Sequence, residues 1–341
     1  MKAFVITETV DLNSERNSLK EVDLPKPTIN DDEILIKVSC CGVCHTELDE
    51  IEGRTPPSHL PMVPGHEVVG IIEKCGNKVN AFKPGDRVGV AWIFSSCGIC
   101  EYCKSGLENL CPAFKGTGRD ENGGYAEFMH VPAESAYLIP DVFSDEEAAP
   151  LMCAGAIGYR SLYLTGLENG QTLGLMGFGA SGHLVLKMVK KLMPDTEVLV
   201  FTRNLEEQNF AKSIGAKWAG EIEDNPPFLL NAMIDTTPVW KTMVQSLLYL
   251  KPGGRLVINA IRKEHMDQSA LQGIVYEKHL WMEKEIKSVA NITHNDVKKF
   301  LEFAGRVSLK SVVQKYPFER ANEAIWDLKH KNVKGGKVLV W

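Results

Sequence analysis

Thr172-Leu173-Gly174-Leu175-Met176-Gly177-Phe178-Gly179-Ala180-Ser181-Gly182 is the stretch on which the fold turns. Its first five residues read as a strand, and a helix is expected from Ala180 to Leu192. Between them Gly177, Gly179 and Gly182 make a G-x-G-x-x-G turn, a weak signal when it stands alone. The setting strengthens it. Glycines at a strand-to-helix junction allow a tight turn and let a pyrophosphate rest on the helix N-terminus, here Ala180 and Ser181. The plain alternative is an ordinary strand–helix turn. The alternation continues downstream, with strands expected at 197–201, 230–234 and 255–259 and helices at 205–214 and 239–250. Such βαβ alternation predicts an α/β fold with a doubly wound parallel sheet.

Working outward, residues 1–140 hold short strand-like runs such as Glu33-Ile34-Leu35-Ile36-Lys37-Val38, cut by turns such as Lys83-Pro84-Gly85-Asp86. No helical period is sustained there. The pattern changes at Ser144-Asp145-Glu146-Glu147, a capping box, with a helical stretch to about Thr165 interrupted near Pro150. After 291 come a helix (295–305), another around 321–329 and a closing strand at 337–340. The expected division is a β-rich part to about residue 150, then an alternating dinucleotide-binding part over 151–291, then a mixed segment over 292–341.

All nine cysteines lie within the first 153 residues. Four of them, Cys97, Cys100, Cys103 and Cys111, fall within fifteen residues threaded by Gly98 and Gly106. Four thiolates can close a tetrahedron around Zn²⁺ and leave no open position, so the site they make is structural. An Fe–S cluster also uses short cysteine spacings, but the gap of seven residues before Cys111 suits it less. Cys44, His66 and Cys153 are further candidates, each weak alone because a lone Cys is usually a small buried hydrophobe. Together, two thiolates and one imidazole would leave a fourth position for water or substrate.

The cofactor's second phosphate is read at the end of the next strand. An NAD site usually has an acid about 20 residues after the glycine turn, to hold the ribose 2′-hydroxyl. Here Thr202, Arg203 and Asn204 occupy that place, a set that suits an anionic 2′-phosphate, so NADP(H) is expected over NAD(H). The bland reading makes Arg203 a surface cation and lets both cofactors bind.

Cys-Gly-Val-Cys-His-Thr at 41–46, Pro-Gly-His-Glu at 64–67, the four-cysteine run, Pro150-Leu151-Met152-Cys153-Ala154-Gly155 and the glycine turn occur in one order. In that order they resemble the zinc-containing medium-chain alcohol dehydrogenases, over essentially the whole chain. The resemblance implies a Rossmann sheet, residues 151–291, beside a β-rich GroES-like catalytic domain, residues 1–150 with 292–341, and two Zn²⁺ per chain. It implies catalytic-zinc ligands at Cys44, His66 and Cys153, with Glu67 behind the metal as an alternative ligand and Glu47 orienting His66. It further implies that Thr46 starts a proton relay. Asp49 stands where a relay histidine is common. By the same resemblance His45 and Lys337 hold the pyrophosphate, and Asn259 and Ala260 approach the nicotinamide. Ile157 replaces a frequent threonine, and Ile51, Trp92 and Ile93 line the substrate pocket. Cys40, Cys41 and Cys75 are expected to be buried thiols.

Composition narrows the partners. The chain has 341 residues, 44% apolar and 24% charged, with a net charge of −6. No long basic run is present, which argues against nucleic acid as a partner. No apolar run reaches the ~18 residues of a membrane span. Met1 to Glu8 reads as a first strand rather than a signal peptide, so a cytoplasmic setting is expected. The expected function is interconversion of a small primary or aromatic alcohol and its aldehyde by a homodimer or homotetramer. The alternatives are a polyol or secondary alcohol dehydrogenase using NAD(H), disfavoured by the apolar pocket residues, and a non-catalytic zinc-binding relative.

Overall fold

The Gly- and Pro-punctuated runs of the N-terminal region fold as short strands: β1 (Lys2–Val5), β2 (Lys20–Asp23), β3 (Glu33–Val43), β4 (Val68–Cys75), β5 (Arg87–Val90), β6 (Ile93–Ser95), β7 (Lys115–Gly116), β8 (Phe128–Pro132) and β9 (Ala136–Leu138). The computed structural model describes residues 1–331 and 335–341. Two helices interrupt this region, α1 (His45–Ile51) and α2 (Glu101–Lys104). They correct the expectation of a region without helix: seven and four residues are too few to display a 3.6-residue period. Next come α3 (Asp145–Ala148), a 3₁₀ turn over Ala149–Met152 and α4 (Ala154–Thr165). Ser144 caps α3 as its sequence foretold: its Oγ accepts from the Glu147 N–H, and Glu147 Oε2 accepts from the Ser144 N–H.

The alternating segment follows as β10 (Thr172–Met176), α5 (Ala180–Leu192), β11 (Glu197–Phe201), α6 (Leu205–Ser213), β12 (Trp218–Gly220), β13 (Leu230–Asp235), α7 (Trp240–Leu248), β14 (Leu250–Ile258), α8 (Tyr276–His279) and β15 (Glu285–Ser288). The chain closes with α9 (His294–Val307), β16 (Val313–Pro317), α10 (Ala321–His330) and β17 (Gly336–Val340).

Contacts divide the chain into two compact units, Met1–Ala156 with Ile292–Trp341 and Ile157–Asn291. In the second unit six parallel strands run in the order β12-β11-β10-β13-β14-β15. This is the doubly wound order of a Rossmann sheet, with its switch point between β10 and β13. Leu199, Phe201, Met233, Leu247 and Leu256 form the buried core against this sheet.

In the first unit a seven-stranded sheet runs β16-β17-β3-β4-β5-β9, with β8 also paired to β3. Its core gathers Ile34, Ile36 and Val38 of β3, Val68 and Ile72 of β4, Val88 and Val90 of β5, and Ala324 and Ile325 of α10. Each fully buried Val, Leu or Ile of this kind stabilises the fold by roughly 1.5–3 kcal/mol. β3 is central to the site, because it is the long strand whose C-terminal end opens directly into α1.

Candidate active site

Cys44, His66 and Cys153 are far apart in sequence, and the sheet brings them together. β3 and β4 pair antiparallel with Cys41 opposite Val68, so the residues just past the end of β3 and just before the start of β4 are neighbours. Cys44 follows β3, and His66 and Glu67 precede β4. Cys153 follows the Ala149–Met152 turn, whose Met152 lies on Gly89 of β5 closely enough that a Cβ there would sit 2.6 Å from Sδ. One ligand atom from each of Cys44, His66, Glu67 and Cys153 lies within 4.8 Å of all the others.

Glycine contacts fix the His66 segment. Gly65 has φ +99°, a left-handed conformation that favours glycine, and a Cβ there would lie 2.4 Å from the Tyr125 ring. The Gly123 N–H donates to Val63 O, the Gly124 N–H to Gly65 O and the Tyr125 N–H to Pro64 O, which clamps the backbone before His66. A Cβ on Gly42 would sit 1.8 Å from Glu67 Oε2, so only glycine at 42 leaves room for that carboxylate. The Gly123-Gly124-Tyr125 run was visible in the sequence, yet its role rests on contacts that spacing does not reveal.

Electrostatics around the set are strongly organised. The two sulfurs of Cys44 and Cys153 are 3.9 Å apart. Two thiolates on one tetrahedral Zn²⁺, each at about 2.3 Å, would be about 3.8 Å apart. Glu47 Oε1 is 2.7 Å from His66 Nδ1, and Glu47 Oε2 accepts from the Cys44 N–H at 2.7 Å. The buried His66 Nε2 has no hydrogen-bond partner among the described residues. Two soft sulfurs, an orphaned imidazole nitrogen and a nearby carboxylate form a donor set that fits Zn²⁺.

The shared thiol bond with Cys153 holds Cys44 well below the ordinary thiol value and pushes Cys153 well above it. Burial alone would lower His66, but the Glu47 carboxylate and Cys44 override it and raise it. Burial raises Glu67 as well, and the Cys44 thiolate adds to that.

Around the set, Thr46 Oγ1 lies 3.7 Å from the Cys44 sulfur. Asp49 follows one turn later on α1 and is bound by Arg54, at 2.6 Å through Nε and 2.5 Å through a terminal nitrogen. The expected relay position therefore carries an ion pair. Trp92 meets His66 edge-on, with centroids 5.0 Å apart, and Arg119 lies over the Trp92 ring at 5.7 Å. Ile93 is fully buried in β6. Ile51 is fully buried in the apolar core of this unit together with Leu48 and Val63. The pattern of α1 alone could not tell its core face from its site face.

Glu50 was not singled out by sequence reasoning. It is fully buried, neither carboxylate oxygen has a hydrogen-bond partner among the described residues, and burial with the neighbouring Glu47 raises it well above the usual carboxylate range. Exposed His45 opens α1, and β17 sets Lys337 opposite Val43. Cys40 and Cys41 are buried thiols, whereas Cys75 is only half-buried, with its thiol 3.7 Å from Phe82 O.

The four-cysteine lobe forms a second cluster. One sulfur each of Cys97, Cys100, Cys103 and Cys111 lies within 4.8 Å of the others. The Cys97 N–H donates to the Cys111 sulfur, Cys100 N–H to Cys97, and Cys103 N–H to Cys100. Backbone N–H groups of Ile99 and Cys100 pull the Cys97 thiol down to about 6. Four gathered sulfurs, three of them accepting from backbone N–H groups, suit a closed structural metal.

In the second unit the three glycines divide the work. Gly177 has φ +86°, and a Cβ there would sit 2.5 Å from Thr236 Oγ1. A Cβ on Gly182 would lie 2.8 Å from Gly177 O, so the helix packs closely on the turn. Gly179, which precedes α5, faces open space, and Ala180 and Ser181 begin the helix. This is the division expected of a pyrophosphate turn. Past β11, Thr202 Oγ1 donates to Glu207 Oε2 at 2.5 Å. Asn204 Oδ1 accepts from the N–H groups of Glu206 and Glu207 and so caps α6. Sequence reasoning missed both facts, because a cap and a phosphate contact share one residue type. Asn259 follows β14, its N–H donating to Asp235 O, with Ala260 next.

Residues 30–141 match the model of the alcohol dehydrogenase GroES-like domain. A probable alcohol dehydrogenase, AdhA, of Mycobacterium tuberculosis is 40% identical over 322 residues, covering 93% of this chain and 90% of its own. The chain belongs to the zinc-containing medium-chain alcohol dehydrogenase family. An alcohol dehydrogenase of Geobacillus stearothermophilus is 32% identical over 99% of this chain and 98% of its own. Among solved structures, a cinnamyl alcohol dehydrogenase of Sorghum bicolor superposes with a TM-score of 0.85 at 26% identity, over 99% of this chain and 97% of that one. The sorghum structure thus matches this chain across both the Rossmann sheet and the β-rich GroES-like domain. No described helix is long and apolar enough to cross a membrane.

Proposed function

We propose that this chain interconverts primary or aromatic alcohols and their aldehydes by hydride transfer with NADP(H). The observation that carries the reading is the unpartnered His66 Nε2 among Cys44, Cys153 and Glu67. Cys44, His66 and Cys153 would hold one Zn²⁺, with Glu67 as an alternative ligand, and the four-cysteine lobe would hold a second. A metal on the first set supplies Lewis-acid chemistry, lowering a hydroxyl pKa or polarising a carbonyl. Glu47 keeps His66 turned so that Nε2 faces the two sulfurs. In oxidation Thr46 would accept the hydroxyl proton while passing its own towards Asp49, and the hydride on the carbon would go to bound NADP⁺. The products are aldehyde, NADPH and a released proton. Trp92 narrows the approach and favours slim or flat substrates, a reading in keeping with the name of the sorghum relative.

Gly177, Gly179, Gly182 and the first N–H groups of α5 are assigned to the pyrophosphate, with His45 and Lys337. Thr202 and Arg203 are assigned to the 2′-phosphate. NAD(H) is the second reading, favoured by the Glu207 carboxylate on Thr202. Residues 1–150 with 292–341 then act as the catalytic part and 151–291 as the cofactor part. A homodimer or homotetramer in the cytoplasm completes the proposal.

Metal analysis should give about two zinc per chain, and Cys44→Ala should lose one of them together with hydride transfer. An unchanged rate in that variant would sink the mechanism. Steady-state rates with NADP(H) and NAD(H), over primary, secondary and aromatic alcohols, test the cofactor. Arg203→Asp should invert a preference for NADP(H), and a clear preference of the unaltered chain for NAD(H) overturns the assignment of Thr202 and Arg203.

A further inference from the structure

The four-cysteine lobe is fastened to the helix that bears on the Cys153 segment. Glu108 opens the 3₁₀ turn Glu108–Leu110, between Cys103 and Cys111, and its carbonyl accepts from the Cys111 N–H. Its side chain leaves the lobe. Glu108 Oε1 accepts at 2.5 Å from the N–H of His294, the first residue of α9. Glu108 is only 7% exposed, so this carboxylate meets the orphan N–H groups and positive end of a fourteen-residue helix in a shielded place. Thr293 caps the same end through the Asp296 N–H, so one cap is local and the other comes from the lobe. Tyr137 of β9 holds the His294 ring, O to Nδ1, at 2.6 Å.

Six residues along α9, about 9 Å of helix rise, lies Phe300, which is fully buried. A Cβ on Gly155 would be 2.5 Å from two atoms of the Phe300 ring. The ring thus rests directly on the backbone two residues beyond Cys153. Close-packed interiors transmit such displacements instead of absorbing them.

We propose that the lobe holds Cys153 in register with Cys44 and His66 through α9, with Glu108 and Phe300 as positioning residues at its two ends. This rests on the reading of both cysteine clusters as metal sites. A metal held by Cys97, Cys100, Cys103 and Cys111 would be closed to substrate, and its part in the chemistry would run through this chain's own residues: Glu108 sets α9, and α9 sets the Cys153 segment.

The test uses the full chain loaded with cobalt in both clusters. Chelator competition, followed through the thiolate-to-cobalt absorption of each site, gives the affinity of the Cys44, His66 and Cys153 set separately from that of the lobe. Glu108→Ala should weaken metal retention by that set roughly three- to thirtyfold, the span of coupling along packed networks. Glu108→Gln, which keeps an acceptor, should fall between it and the unaltered chain. Phe300→Leu keeps the position apolar while withdrawing the ring from Gly155 and tests the other end, with a loss of the same kind expected. An unchanged affinity in a folded Glu108→Ala chain, and in Phe300→Leu, overturns the coupling while both metal sites stand. If the unaltered chain binds no metal on Cys44, His66 and Cys153, the underlying reading fails and the coupling with it.

Discussion

At the residue scale the site depends on positions that carry no chemistry of their own. Gly42 is the clearest case. A methyl group there would overlap Glu67 Oε2, so the carboxylate can lie beside Cys44 only while residue 42 lacks a side chain. Gly42→Ala should cost about 1–3 kcal/mol, the usual penalty of overpacking, measured by urea unfolding. Glu67 should also be driven away from the ligand set, and metal should be held more weakly in the same variant. Full stability with unchanged metal affinity would show that Glu67 can leave without consequence. The cysteines of this site were legible from flanking motifs. Glu50 was not, because a glutamate on a short polar helix looks solvated until the tertiary fold buries it.

At the element scale, two short pieces do much of the positioning. Helix α1 has seven residues and presents Thr46 beside the Cys44 sulfur, Glu47 to His66, and Leu48 and Ile51 to the core. No period can show in so few residues, so the helix was missed while its site residues were found. Strand β17 carries Lys337, which is 2% exposed and whose ammonium burial lowers to about 8. Below pH 8 that residue is a cation able to meet a pyrophosphate, and above it the charge is lost. Cofactor binding should thus be steady from pH 6.5 to 7.5 and weaken as pH rises through 8 to 9, as a fluorescence titration would record. Lys337→Met should bind cofactor more weakly at pH 7 and lose this dependence. For stability the sign is opposite. Between about 8 and the ordinary lysine value the unfolded chain binds more protons, so this group's contribution to stability rises with pH over that window.

At the scale of the whole molecule, the parallel sheet ends on β15, all of whose residues are exposed. Nothing among the described strands pairs with its outer side. Exposed edge strands with apolar neighbours template association. Trp281, Met282 and Ile286 supply such neighbours, at 56%, 53% and 41% exposed. If the chain assembles along this edge, sedimentation should give a dimer or a tetramer at micromolar concentration. Ile286→Lys should then shift the distribution towards monomer, while a monomeric unaltered chain would refute the proposed assembly. Neither β15 nor the other edge strand, β12, stood out in the sequence. Edge strands of three or four residues are recognised by the partner they pair with, and local propensity says little about them.

The Rossmann architecture was legible from the sequence alone, and so were the two groups that the fold gathers as possible metal holders, Cys97, Cys100, Cys103 and Cys111, and Cys44, His66, Glu67 and Cys153. These follow from short-range facts: glycines at a strand–helix junction, cysteines at fixed intervals, and apolar runs of the right period. Other features were decided only by the tertiary structure. Contacts bound Asp49 to Arg54, made Asn204 a helix cap, set Glu207 on Thr202, packed Ile51 against Leu48 and Val63 and laid α9 between the four-cysteine lobe and Gly155. In each case the residue has more than one chemically reasonable partner. Which partner it takes depends on segments distant in sequence, brought near by burial of the apolar sheet faces, a choice that no local pattern encodes.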